Sequence, residues 1–292
     1  MKKYKVFVYG TLRKNESNHR LLNNTRCISE QCWTNGVLFD TGFGYPAMIY
    51  DHIGKVHGEL YEVTAEVLQH LDNLEGYYGK NKNNLYERAM KPIYTDAGPT
   101  EAYLYVYSRN PATGNENIYY FNDWKLHHLI NNKNILYFAY GSCMDNKRFI
   151  EAGIASQFSN IKGPGIAKNY SLAFTRKARD GGRADIIEAS NGVVEGIVYE
   201  INVENTLDYL YSREGVYGNI YRPGCIDVEI NGILHQNVLT FFVIHKEQYE
   251  VAPPEHYARE ILRGAKSRVS NDYFERLQED LLKKFNIFIS IK

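Results

Sequence analysis

The sequence predicts an α+β protein built as two tandem copies of one unit, and three observations carry that expectation. Lys5-Val-Phe-Val-Tyr-Gly-Thr-Leu-Arg13 and Leu136-Tyr-Phe-Ala-Tyr-Gly-Ser-Cys-Met-Asp145 share one grammar. In each, an apolar aromatic run ends at a glycine and gives way to small and polar residues, as a buried strand does on entering a tight loop. Around each copy, short runs rich in aromatic and β-branched residues are punctuated by Gly, Asp and Pro, and a single stretch of helical spacing follows them. The length of 292 residues is long for one core, and a duplicated signature makes two domains the expectation.

In chain order, the first strand empties into Arg13-Lys-Asn-Glu-Ser-Asn-His-Arg20, a polar loop that enters a short helix at Leu21-Leu22. Cys32-Trp-Thr-Asn-Gly-Val-Leu-Phe39, Tyr45-Pro-Ala-Met-Ile-Tyr50 and Lys55-Val-His-Gly-Glu-Leu-Tyr-Glu-Val63 read as strands. The spacing predicts a helix from Thr64 to Glu75, with Val67, Leu68, Leu71 and Leu74 on one face, Thr64 as N-cap and Gly76 as the stop. Tyr86 to Tyr94 and Ala102 to Tyr107 read as further strands. An amphipathic tail around Trp124 to Ile130 leads to Asn131-Asn-Lys-Asn134, the best linker candidate, which divides the chain at 1–131 and 135–292.

The second half repeats these parts. Val194-Glu-Gly-Ile-Val-Tyr-Glu-Ile201 answers Lys55 to Val63, with Gly196 on Gly58, Tyr199 on Tyr61 and Glu200 on Glu62. Leu207 to Gly218 places Glu214-Gly215 over Glu75-Gly76 and Tyr217-Gly218 over Tyr78-Gly79. The loops stand 131 residues apart (140 minus 9) and the helix ends 139 apart (214 minus 75), so copy two carries an insertion, expected in loop-like sequence such as Arg179-Asp-Gly-Gly-Arg183. A C-terminal extension follows: Pro253 to Gly264, then Asp272 to Phe285 with Phe274, Leu277, Leu281 and Phe285 at helical spacing. It is expected to pack on the second domain.

Composition narrows the function. The 34 basic residues balance the 34 acidic ones, and no basic run interleaved with aromatics supplies a footprint for nucleic acid. Met1-Lys-Lys-Tyr-Lys passes straight into a strand of only a few apolar residues, too short for a signal-peptide core or a membrane span, so a cytoplasmic location is expected. Cys27, Cys32, Cys143 and Cys225 form no closely spaced ligand couplets and read as reduced thiols. His19, His57, His70, His127 and His128 lack metal-ligand spacing, so packing or surface roles are expected and no metal.

The candidate site residues fall in the two loops and at the two helix ends. In Tyr9-Gly10-Thr11-Leu12 and Tyr140-Gly141-Ser142-Cys143, the glycine can turn successive backbone N–H groups into one anion-binding concavity. With no basic side chain read as close by, a carboxylate is the expected anion; an ordinary strand-to-loop turn is the plain alternative. Tyr9 and Tyr140 are expected to reach a pocket with their hydroxyls, whereas most of the 25 tyrosines read as packing. Glu75 and Glu214 each end a helix beside a glycine, where the macrodipole disfavours a carboxylate. If tyrosines enclose them, desolvation and the helix end both raise the pKa towards that of a proton shuttle; a solvated Glu before a cap is the alternative. Cys143 lies in the second loop, but no histidine or basic group adjoins it in sequence to activate it as a nucleophile.

Tyr140-Gly-Ser followed by Met144, together with Glu214-Gly-Val-Tyr-Gly-Asn-Ile-Tyr-Arg222, resembles the gamma-glutamylcyclotransferases. Val8-Tyr-Gly-Thr-Leu-Arg13 with Asn18-His19 and Leu74-Glu-Gly76 resembles the gamma-glutamylamine cyclotransferase branch beside them. The resemblance spans both halves. It implies two mixed β-barrels with flanking helices, a small-molecule γ-glutamyl substrate, no cofactor, and conversion of a γ-glutamyl amide to 5-oxoproline with release of the amine or amino acid. It further implies that the loops hold the glutamyl α-carboxylate and that Glu75 and Glu214 carry the proton. Where the family commonly has Asn after Tyr-Gly-Ser this chain has Cys143, a departure at one substrate hydrogen bond of the second copy. Two rivals stand beside this reading: an enzyme for glutathione or for a dedicated γ-glutamyl-protected metabolite, and a small-molecule binding module without turnover in one or both domains.

Overall fold

The computed structural model describes residues 2–108 and 120–291, and the chain falls into two compact units, Met1–His127 and His128–Lys292. In the first unit the strands are β1 (Lys3–Val8), β2 (Arg26–Asn35), β3 (Val37–Asp40), β4 (Pro46–Ile49), β5 (Lys55–Thr64), β6 (Tyr86–Thr95), β7 (Gly98–Tyr107) and β8 (Tyr120–Phe121). Helix α1 (Ala65–Leu74) follows β5, α2 (Trp124–Leu129) follows β8, and a short 3₁₀ turn covers His19–Leu22. Strands β1, β5, β2, β6 and β7 close in that order into a barrel. Its ladders are antiparallel except where β1 meets β7, in parallel, at Val6 and Tyr103. The second half of β1, Val6 to Val8, is buried on both faces, which is why it reads as a continuous apolar run. Val6 and Val8 join one core cluster with Leu68 and Leu71 of α1, and Phe7 and Tyr9 join another.

The second unit is built the same way from β9 (Asn134–Ala139), α3 (Lys147–Glu151), β10 (Ile161–Ala178), β11 (Gly181–Asn202), α4 (Val203–Arg213), β12 (Tyr221–Ile230), β13 (Ile233–Val243), α5 (Glu255–Ala265) and α6 (Asn271–Phe285). Its barrel order is β10-β11-β9-β13-β12, again with one parallel pairing, Leu239 of β13 against Tyr137 of β9. Strand for strand, β9, β11, β10, β12 and β13 therefore match β1, β5, β2, β6 and β7. The two mixed barrels implied by the resemblance are present.

Several local expectations are corrected. The strand expected over 32–39 is two strands, because Gly36 adopts φ +149° and its N–H leaves the ladder for the Gly54 carbonyl at 3.0 Å. A side chain there would meet Met48 Cε at 2.6 Å. In the second unit the corresponding hairpin runs unbroken as β10 and β11, so of the loop expected at 179–183 only Arg179 and Asp180 turn, and Gly181 to Arg183 belong to β11. Helix α4 starts four residues before Leu207, since the Asn202 side chain caps it by accepting the Asn205 N–H at 3.1 Å. In α1 the expected cap holds: Thr64 Oγ1 accepts the Val67 N–H. Leu74, however, is 40 % exposed, and the buried face is completed by Asp72.

The two units brace the segment after the Tyr-Gly loop by different means. In the first, Arg13 donates to Glu59 (3.2 Å) and Asp123 (2.7 Å), Lys125 donates to Glu59 (2.8 Å), and all four side chains are buried. Burial by itself would raise the Glu59 carboxyl, but Lys125 and Arg13 bring it below the usual range. In the second, α5 lies against the loop, Arg263 pairs with Asp145, and Arg268 donates to the Met144 carbonyl. Among the described residues no helix is long and apolar enough to cross a membrane.

Candidate active site

Each barrel ends its first strand in the loop singled out from the sequence. The two loops close on the same bond: the Arg13 N–H donates to Gly10 O and the Met144 N–H to Gly141 O, both at 3.0 Å. Among the described residues, the N–H groups of Thr11 and Leu12 have no acceptor within the fold, nor do those of Ser142 and Cys143. Asn18 holds the first loop in shape, its Nδ2 donating to Thr11 Oγ1 at 3.0 Å and its N–H to Thr11 O at 2.9 Å. The Tyr9 and Tyr140 hydroxyls do not end free in a pocket. They donate to the carbonyls of Tyr105 (2.7 Å) and Phe241 (2.6 Å), because a hydroxyl buried between strands must find an acceptor.

Each helix delivers its terminal glutamate beside its own loop. Glu75 and Glu214 are the C-caps of α1 and α4, and the chain leaves each helix through a left-handed glycine, Gly76 (φ +62°) or Gly215 (φ +64°). Here the two sites part. Glu75 lines a cavity of about 220 Å³ with Tyr9, Gly10, Thr11, Leu12, Asn18 and the side chains of Tyr45, Tyr86 and Tyr105. No cation lines that cavity among the described residues. Burial pushes the Glu75 carboxyl up to about 8, since nothing charged compensates its ionised form.

Glu214 lines a space of only about 30 Å³ with Tyr140, Gly141, Ser142 and Cys143, room for a water or two. The Cys143 thiol donates to Glu214 Oε1 at 3.2 Å, and Arg213 Nε lies 3.0 Å from Cys143 Sγ and 3.9 Å from the same carboxylate oxygen. The expectation that no basic side chain stands near this loop is thus overturned: Arg213 precedes Glu214 in sequence, and the last turn of α4 swings it onto the loop. Burial raises the Glu214 carboxyl although Arg213 opposes the shift, and burial pushes the Cys143 thiol up to about 11, so the sulfur is a protonated donor and not a poised nucleophile. The barrel strands supply Tyr137, Tyr221 and Phe241 to the wall, and the C-terminal extension adds a tyrosine. Tyr257 of α5 reaches the space and accepts the Ala184 N–H at 3.2 Å.

Sequence reasoning did not mark Tyr45, Tyr86, Tyr105 or Tyr257 as lining residues. Tyr86 and Tyr105 stand on strands, Tyr257 on a helix and Tyr45 in the bend before β4, all distant from the loops in the chain, and among so many tyrosines no local signal separates them from packing residues. Among the described residues no group of three or more His, Cys, Asp and Glu is placed to hold a metal ion.

Comparison with known proteins accords with this geometry. The family described as "Gamma-glutamyl cyclotransferase, AIG2-like" matches residues 6–126, and the "AIG2-like family" matches residues 193–277. YkqA of Bacillus subtilis, which carries a provisional gamma-glutamylcyclotransferase name, is 41 % identical over 280 residues, covering 94 % of this chain and 96 % of its own. Its crystal structure superposes with a TM-score of 0.83 at 38 % identity, over 96 % of this chain and 98 % of that one. The gamma-L-glutamyl-butirosin B gamma-glutamyl cyclotransferase of Niallia circulans is 36 % identical over 125 residues, 42 % of this chain and 77 % of its own. With family matches in both halves and a relative that is similar from end to end, this chain belongs to the gamma-glutamyl cyclotransferase, AIG2-like family.

Proposed function

We propose that the first unit is a cyclotransferase that converts a γ-glutamyl amide or γ-glutamyl amino acid to 5-oxoproline and a free amine or amino acid, and that the second unit does not turn over such substrates. The observation that carries the reading is Glu75: a carboxyl raised to about 8 by burial, lining a cavity of about 220 Å³ together with the Tyr9–Leu12 loop. The Thr11 and Leu12 N–H groups hold the glutamyl α-carboxylate. That contact brings the α-amine to its own γ-carbonyl, the near-attack geometry that ring closure needs. Glu75 takes a proton from the α-ammonium, and the amine attacks the γ-carbon to form the ring C–N bond. Glu75 then gives that proton to the departing nitrogen as the exocyclic C–N bond breaks, and the second proton, shed by the ring nitrogen as it becomes an amide, leaves with the released amine as its ammonium. No water is consumed, and Glu75 is regenerated.

In the second unit the carboxylate is occupied by the Cys143 thiol, and the space beside it is too small for a glutamyl group. This favours, for that unit alone, the reading of a domain without turnover. The relative named for γ-L-glutamyl-butirosin B supports a γ-glutamyl-protected amine as the type of substrate. The test is release of 5-oxoproline from γ-glutamyl amines, γ-glutamyl amino acids and glutathione by wild type, Glu75→Gln, Glu214→Gln and the double variant. Glu75→Gln is expected to lose at least about 100-fold in kcat, and Glu214→Gln to keep wild-type turnover. A Glu75→Gln protein that stays active, or a Glu214→Gln protein that does not, overturns the assignment.

A further inference from the structure

A base at a helix C-cap stands where intrahelical hydrogen bonds run out and ends fray, yet its reaction needs placement to a fraction of an ångström. The first unit carries a device that answers this problem. Asp72 lies three residues before Glu75, one turn back in α1, and its carboxylate is buried. It accepts the Tyr105 hydroxyl at 2.7 Å and Arg88 Nη1 at 2.5 Å, while its carbonyl accepts the Tyr77 N–H at 2.8 Å. Arg88 is itself held over the rings of Tyr77 (5.0 Å) and Tyr103 (4.8 Å). Tyr105 serves both halves of the site. Its hydroxyl grips the last turn of α1, and its carbonyl accepts the Tyr9 hydroxyl at the mouth of the loop.

The matched positions of the second unit are fixed by the same bonds and registers. Phe241 takes the place of Tyr105, because its carbonyl accepts the Tyr140 hydroxyl. Pro223 takes the place of Arg88: it opposes Phe241 in the β12–β13 ladder as Arg88 opposes Tyr105 between β6 and β7. Tyr211, three residues before Glu214, takes the place of Asp72 and meets the Phe241 ring edge-on at 6.1 Å. The anchor of the loop is kept in both units, but Phe241 has no hydroxyl and Pro223 no guanidinium with which to repeat the tether of Tyr105 and Arg88 at the helix end.

We propose that Asp72, Tyr105 and Arg88 are positioning residues that tie the end of α1, and so the Glu75 carboxyl, to the strand that anchors Tyr9. This rests on the reading of Glu75 as the proton carrier. The tether acts through place and not through contact with the reacting atoms, so its loss should appear in kcat and in the titration of Glu75 more than in substrate binding. The titratable groups lining the cavity with Glu75 are Tyr9, Tyr45, Tyr86 and Tyr105, and burial raises the hydroxyls of Tyr9, Tyr86 and Tyr105, so a shifted limb reports the surroundings of Glu75 itself.

The experiment uses the full chain and the best substrate of the panel above. Tyr105→Phe keeps the ring and the carbonyl that anchors Tyr9 and removes only the hydroxyl that grips Asp72. It is expected to lower kcat by about 10- to 100-fold with KM changed by less than about threefold, and to move the Glu75 limb of the pH–rate profile to lower pH as water reaches the loosened carboxyl. Asp72→Asn, which keeps an acceptor for Tyr105 but discharges the pair with Arg88, should shift both quantities in the same direction by less. A Tyr105→Phe enzyme with wild-type kcat, or one whose kcat falls with the limb unmoved, overturns the tether. Either result leaves the role of Glu75 standing if Glu75→Gln is inactive. Turnover by Glu75→Gln would instead remove the base and the tether with it.

Discussion

Glu75 and Glu214 occupy one place in the repeat and differ in what surrounds them. Tyrosines and apolar side chains bury Glu75 with no cation in its cavity among the described residues, whereas Glu214 accepts a hydrogen bond from the Cys143 thiol and sits 3.9 Å from Arg213. The pH dependence follows from the first environment. A base with a pKa of about 8 is mostly protonated at neutrality, so kcat/KM should rise with pH, level above about 8, and lose this limb in Glu75→Gln. Stability carries the opposite slope. The folded pKa lies above the unfolded one, so the folded state keeps a proton that the unfolded chain has released, and stability is lost as pH rises from the unfolded carboxyl value to about 8. Glu75→Gln has no such loss. It should become more stable than wild type above that range, by on the order of 1–3 kcal/mol, less than the full shift would give because water reaches the half-buried carboxyl. Urea denaturation of both proteins at pH 5 and pH 9 reads the difference; a gap that does not widen with pH would contradict it.

At the scale of the element, α1 is capped at one end for stability and shaped at the other for the site. Thr64 supplies the N-cap bond, at the far end of the helix from Glu75. Thr64→Ala should cost about 1 kcal/mol of stability and leave kcat unchanged. Gly76 differs: at φ +62° a side chain is strained, and a Cβ would stand 3.1 Å from Leu85 Cβ. Gly76→Ala should cost about 1 kcal/mol or more and also lower kcat, because relief of that contact displaces the turn that carries Glu75. Equal effects of the two substitutions on kcat, measured alongside their denaturation midpoints, would show that the two ends of α1 are not separable in this way. The same logic separates the hairpins. One strand pair is broken at Gly36 to form a small side sheet, and its counterpart in the second unit runs straight through.

For the whole molecule, duplication has preserved the barrel and its loop while the sites have diverged. Each unit has its own core and its own bracing of the loop, through Arg13, Glu59, Asp123 and Lys125 in one and through α5 in the other. The division proposed at 1–131 and 135–292 therefore implies that each half folds alone. The first half, expressed by itself, should retain 5-oxoproline release, and the second half, folded by circular dichroism, should show none. Turnover by the isolated second half would place a working centre there and refute the division of labour.

Much of this was legible in the chain because it depends on local pattern. The repeated Tyr-Gly loops, the helix from the Thr64 cap to the Gly76 stop and the correspondence of Glu75 with Glu214 are written in short-range spacing, and short-range spacing sets strands, caps and turns. The closed barrel was implied by resemblance and the site roles remain proposals. What the tertiary structure decided is which groups meet across distance. The Asp72–Tyr105 bond joins residues 33 apart, and the approach of Arg213 to Cys143 joins residues 70 apart. Neither leaves a local trace, because a side chain's partner is set by where the backbone carries it and not by its neighbours in the chain. Two glutamates with the same neighbouring glycine were indistinguishable until the fold put an open cavity beside one and a thiol on the other.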